Sequence, residues 1–157
     1  MRHAEAEKTG GHILTDAQRP LTAYGRLQAN AIATELKRRN VLPFIVASPY
    51  LRTLQTAEVL SDLLGTGPVH SEPLLASSGH APPLPELLHL YVRAQGLLLI
   101  GHQPDLGMLA EQLLGFEFGF STATMIAFKL QSPKVWKFLW TLMPENDLFH
   151  TRNQYGR

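Results

Sequence analysis

The sequence has no cysteine in its 157 residues. That removes disulfides, thiolate nucleophiles and thiolate zinc sites together. It also lacks any strong excess of one charge, with 14 Lys and Arg against 13 Asp and Glu and a formal net charge of +1. So small an excess supplies no bulk attraction to nucleic acid or to an anionic membrane. No apolar run approaches the length of a membrane span, and no apolar signal stretch opens the chain. Internal repeats and linkers are absent too. The expectation is a single domain over residues 1–157, cytoplasmic, with a loose polar tail from about residue 144.

Apolar residues make up 45% of the chain, enough for a full core. Thr22 is placed to cap a helix running to about Arg39, with Gly25, Ala29, Ile32 and Leu36 at helical spacing. Lys37, Arg38 and Arg39 oppose the negative end of its dipole. The β-branched stretch Leu42 to Ala47 reads as a buried strand, and Ser48-Pro49 as N-cap and first-turn proline of a second helix ending at Gly65. A third helix is expected over Leu84 to Gln95. Leu97 to Ile100 is too short and too apolar for anything but a buried strand. Pro104 opens a fourth helix carrying Leu106, Leu109, Ala110 and Leu113, closed by Gly115. Thr124–Leu130 and Val135–Leu142 read as a hairpin around Ser132-Pro133-Lys134. The pattern implies an α/β fold, a three-layer sandwich with a mostly parallel central sheet and a C-terminal antiparallel hairpin.

In such a sheet the residues just past a strand's carboxyl end line the functional crevice. His102 holds that place after Leu97–Ile100, and Arg52 lies one turn into the helix after Leu42–Ala47. Arg2 and His3 would join them. Guanidinium forks match phosphate oxygens, and a nearby cation holds an imidazole neutral, leaving a nitrogen lone pair free to attack phosphorus. Taken singly, each residue has a plainer reading: His102 a core histidine, Arg52 a surface helix arginine, Arg2-His3 a terminal dipeptide, Asp16 and Arg19 a local salt bridge. His12, His70, His80, His89 and His150 read as surface or loop positions. His3 with Glu5 and Glu7 lacks the closely spaced second histidine of a metal site.

Arg2-His3-Ala4, the run Ser48-Pro49-Tyr50-Leu51-Arg52-Thr53-Leu54-Gln55-Thr56-Ala57, and Gly101-His102 resemble the three signatures of the histidine phosphatase superfamily. The segment Asp16-Ala17-Gln18-Arg19-Pro20-Leu21-Thr22-Ala23-Tyr24-Gly25 is similar to its SixA-like branch. The resemblance runs from the first residues to about Leu114. It implies His3 as the residue transiently phosphorylated and His102 as its partner on the phosphoryl group. It further implies Arg2, Arg52, Arg19 and Asp16 as phosphate-binding residues, with no metal and no cofactor. The implied activity is a metal-independent phosphohistidine phosphatase acting in signal transduction. Its partner would be a histidine phosphotransfer domain or similar phosphohistidine carrier, because little chain remains to build a lid over a small molecule. Two alternatives stand beside it: a small-molecule phosphomonoesterase on the same fold, which would need an acid such as Glu72, and a noncatalytic phosphate- or phosphohistidine-binding protein. Family members also carry a short apolar strand before the Arg-His pair, where this sequence has only Met1. The first strand is therefore expected to be missing, and a longer natural form to exist.

Overall fold

A computed structural model describes residues 1–91, 94, 96–116, 118–132 and 135–144. Helix α1 spans Ala23–Arg38 and is followed by strand β1, Phe44–Ala47. Helix α2 spans Leu51–Leu64, β2 His70–Ser71, α3 Leu84–Leu90, β3 Leu97–Ile100 and α4 Asp105–Leu114. Strands β4, Met125–Ser132, and β5, Val135–Leu142, complete the order. Short 3-10 turns lie at Asp16–Gln18 and Pro73–Leu75. The central sheet is parallel with order β2-β1-β3, and β4 and β5 pair antiparallel.

Alternation along β1 and β3 builds the sandwich, since successive strand side chains face opposite sides. Ile45, Ala47, Leu98 and Ile100 join one cluster with Ala29, Ile32, Ala33 and Leu36 of α1 and Ala57, Leu60 and Leu64 of α2. Val46, with Phe44, Leu97 and Leu99, packs oppositely against Leu75 and Leu87 of the second layer. Leu106 and Ala110 of α4 form a third cluster with Phe120. The base of the hairpin joins the main core through Met125 and Leu142, both buried.

The segment ahead of Ala4 takes a sheet position with little length to do so. Arg2 makes a single parallel bridge to Gly101. The Gly101 amide donates to Met1 O at 3.1 Å, and the His3 amide to Gly101 O at 3.1 Å. On the other side the Arg2 amide donates to Thr124 O and the Ala123 amide to His3 O. His3 is thus fixed by backbone bonds on both flanks, at the carboxyl end of β3.

Several boundaries differ from the sequence expectation. Strand β1 begins at Phe44, which pairs with Leu97 of β3 and whose amide donates to Gly96 O just before that strand. Helix α2 starts at Leu51 with Tyr50 as its N-cap and no side-chain cap. Ser48 therefore does not cap it. Helix α3 stops at Leu90, with the Tyr91 amide on Leu87 O; Gln95, part of the expected helix, lies outside the described residues, as do Pro133, Lys134 and the tail from residue 145. The C-caps expected at Gly65 and Gly115 are present, both in the left-handed region at φ 67° and 78°.

Gly25 explains why α1 can lie against the site-bearing segment. Thr22 Oγ1 accepts the Gly25 amide at 2.9 Å, and the Thr22 amide donates to Glu5 O at 3.1 Å. A Cβ on Gly25 would lie 2.0 Å from Glu5 O and 2.9 Å from its carbonyl carbon. Backbone cannot rotate away as a side chain can. Gly25→Ala is expected to destabilise by about 3 kcal/mol or more, which a chain of this size shows as a drop in melting temperature of roughly 6–12 °C. Thermal unfolding checks this; an unchanged midpoint would mean that α1 does not seat on Glu5.

Candidate active site

Helix α2 organises the site through successive side chains of one motif. Arg52 points into the crevice and is 4% exposed. Thr53 Oγ1 donates to Ser48 O at 2.8 Å, shaping the turn that leads out of β1. Gln55 Oε1 accepts the Leu21 amide at 2.8 Å, tethering the segment that carries Asp16 and Arg19. Thr56 Oγ1 accepts the Ala4 amide at 3.1 Å, holding the residue after His3. Gln28 of α1 assists, accepting the Glu5 amide at 2.8 Å. Each of these binds a backbone group that no regular element would satisfy.

The centre is one guanidinium shared by two imidazoles. Arg52 Nε–H donates to His3 Nε2 at 3.1 Å, and Arg52 Nη2–H donates to His102 Nδ1 at 3.1 Å. Arginine only donates, so both ring nitrogens present lone pairs. The tautomers follow. His3 carries its proton on Nδ1, which donates to Ala4 O at 2.7 Å. His102 carries its proton on Nε2, which donates to Ser48 Oγ at 2.7 Å. The ring centroids of His3 and His102 are 5.5 Å apart, and Tyr50 covers His102 at 4.7 Å and Arg52 at 5.0 Å.

Burial and neighbouring cations keep both rings uncharged. Desolvation lowers the pKa of His3 to about 3, with Arg52, His102 and Arg2 acting in the same direction against the Ala4 carbonyl. His102 is lowered to about 4, chiefly by burial and then by Arg52. At neutral pH His3 Nε2 is therefore a buried, unprotonated nitrogen, with the ring held in place through Nδ1.

Cationic charge is concentrated here. Arg2 Nη1–H donates to Phe120 O at 2.7 Å, while its Nε is buried without a hydrogen-bond partner. Burial lowers the Arg2 pKa, and repulsion from Arg52 and Arg19 adds to it. Arg19 donates from Nε to Glu7 O and from Nη1 to Asp16 Oδ1. Asp16 is the carboxylate that meets this cluster. Its Oδ2 accepts Arg52 Nη2–H at 2.8 Å, and its carbonyl accepts Arg52 Nη1–H at 2.6 Å. These partners hold the Asp16 carboxyl below the usual carboxylate range even though desolvation pulls the other way. The local Asp16–Arg19 salt bridge foreseen from sequence is thus present, and Arg52 extends it.

The structure brings His3, His102, Arg52 and Asp16 into one hydrogen-bonded network, with Arg19 on Asp16 and Arg2 among the surrounding cations. Three other buried polar residues, Ser48, Asp105 and Glu72, are engaged nearby in the fold. Ser48 orients His102, a role no local pattern could signal. Asp105, 2% exposed, accepts the Ser78 and Gly79 amides at 2.7 and 3.1 Å and ties that loop to the start of α4. Glu72 is occupied structurally: Oε1 accepts the Leu74 amide at 3.0 Å, and Oε2 accepts Tyr91 Oη–H at 2.9 Å. Burial and that carboxylate push the Tyr91 hydroxyl up to about 12. His12, His70, His80 and His89 are exposed, and His150 lies outside the described residues. Among the described residues no three His, Asp or Glu side chains converge as a metal site, and no helix is long and apolar enough to cross a membrane.

The family model of the histidine phosphatase superfamily (branch 1) matches residues 1–77. An uncharacterised protein from Picosynechococcus is 36% identical over 102 residues, which span 62% of this chain and 61% of that protein. The solved structure of the protein histidine phosphatase SixA complexed with tungstate superposes with a TM-score of 0.79 at 28% identity, over 90% of this chain and 92% of the other. SixA from Agrobacterium tumefaciens gives a TM-score of 0.79 at 22% identity, over 92% and 96%, a likeness of fold.

Proposed function

Because this chain belongs to the histidine phosphatase superfamily and is SixA-like, we propose that it is a phosphohistidine phosphatase acting on a phosphorylated protein. The observation that carries the proposal is the convergence of His3 Nε2 and His102 Nδ1 on the Arg52 guanidinium, each at 3.1 Å. A tetrahedral oxyanion, tungstate, is bound in the related SixA structure. A phosphoryl group entering here exchanges these neutral acceptors for anionic oxygens, which guanidiniums bind more strongly. The unpartnered Arg2 Nε is a further donor for the same group.

His3 Nε2 attacks phosphorus, the bond from phosphorus to the substrate nitrogen breaks, and its electron pair returns to the departing ring. Phospho-His3 results. In the second step a water oxygen attacks phosphorus and the pair of the new P–N bond returns to His3 Nε2. The water proton passes to His102 Nδ1, whose lone pair is free once Arg52 has turned to the phosphoryl oxygens. Binding a dianion raises the affinity of His102 for that proton. Every group needed is supplied by the chain, so the reaction proceeds without a metal.

The test is release of inorganic phosphate from a phosphorylated histidine phosphotransfer domain. Turnover is expected with chelator present. A protein that binds this substrate and leaves its phosphoryl group intact would overturn the reading.

A further inference from the structure

Asp16 is out of place in a site for a dianion. A carboxylate next to the phosphoryl pocket repels the bound oxygens and neutralises part of the arginine charge that would hold them. Its position suggests another use. His3 and His102 are 7% and 2% exposed, whereas the Asp16 side chain is 53% exposed. Within this network Asp16 is the residue open to solvent, where a group carrying a phosphoryl to the histidines can meet it. Oδ1 accepts one bond from Arg19 and Oδ2 one from Arg52, each at 2.8 Å, so each oxygen keeps acceptor capacity toward solvent. The same Arg52 Nη2 that holds Oδ2 also donates to His102 Nδ1. Asp16 is thus one nitrogen away from the reacting centre and is aligned by two fixed cations.

We propose that Asp16 recognises the leaving imidazole: its carboxylate accepts a hydrogen bond from the distal ring N–H of the substrate phosphohistidine and so selects P–N over P–O substrates. The inference rests on the phosphohistidine reading above. A phosphorylated ring that keeps a proton on its distal nitrogen is cationic. When the P–N bond breaks, the pair returns to the proximal nitrogen and the ring departs neutral, with the distal proton in place. A carboxylate on that proton stabilises the cationic form that can leave. An aryl phosphate offers no such N–H, and its leaving oxygen gains negative charge beside the same carboxylate. Asp16 therefore favours one class and opposes the other.

The experiment compares kcat/KM for wild type, Asp16→Asn and Asp16→Glu on a phosphorylated histidine phosphotransfer domain and on p-nitrophenyl phosphate. Asp16→Asn is expected to lose roughly 10- to 100-fold on phosphohistidine, the worth of one charge-assisted hydrogen bond. On p-nitrophenyl phosphate the loss should be clearly smaller, limited to the weaker brace on Arg52, and Asp16→Glu should recover part of the phosphohistidine activity. Equal loss on both substrates would show that Asp16 only braces Arg52, and no loss on either would show that it is idle; both overturn the inference. A wild type inert toward phosphohistidine would instead overturn the parent reading.

Discussion

Replacing His3 with alanine is expected to abolish turnover, lowering kcat by about 10⁴-fold or more, because in the proposed mechanism His3 forms the covalent intermediate. Ser48 is buried and engaged by His102, and Glu72 is tied to the Leu74 amide and the Tyr91 hydroxyl. Binding of inorganic phosphate should survive the change, since Arg2 and Arg52 remain. The charge state of the ring sharpens the prediction. An ordinary histidine protonates near pH 6.5, whereas burial and Arg52 hold His3 to about 3 and His102 to about 4. In the proposed mechanism the neutral form attacks phosphorus, so activity limited by His3 is expected to be retained as pH falls through 6.5 and lost only toward 3. Ring-proton NMR of the free protein should show neither imidazole titrating near 6.5. A midpoint there for His3 would contradict the assignment.

The second large effect is expected at Arg52. Lysine keeps the charge but offers a single nitrogen, whereas Arg52 reaches His3, His102 and Asp16 from three separate nitrogens. One ammonium cannot span those positions. Arg52→Lys should lose about 10³-fold in kcat/KM, since alignment of both imidazoles and grip on the phosphoryl oxygens fail together. Steady-state kinetics should show kcat and KM both worsening. A change in KM alone would reduce Arg52 to a phosphate anchor with no part in orienting the rings.

Much of this architecture was legible because its signals are local. The four-residue apolar run Leu97–Ile100 could only be a buried strand, which placed His102 at a carboxyl edge. Arg52 followed from its distance past Ala47, and Gly65 and Gly115 ended their helices as left-handed caps do. Ser48 shows where local rules run out. Serine before proline is a standard helix start, yet its hydroxyl serves a ring 54 residues away. The jobs of Gln55 and Thr56 were hidden likewise: each satisfies a backbone amide from a distant loop, and neither periodicity nor propensity records that. Strand β2 escaped because two exposed residues carry no alternation. The end of α3 depends on Tyr91, whose hydroxyl is claimed by Glu72 from another segment.

The central claim is that an uncharged His3 Nε2 takes the phosphoryl group onto itself. The most direct measurement mixes the protein with a phosphorylated histidine phosphotransfer domain and quenches in alkali, where phosphohistidine survives. Peptide mass spectrometry then locates any transferred phosphate. One phosphoryl group on His3, absent from His3→Ala, is the predicted result. Phosphate released at full rate with His3 never modified would contradict it.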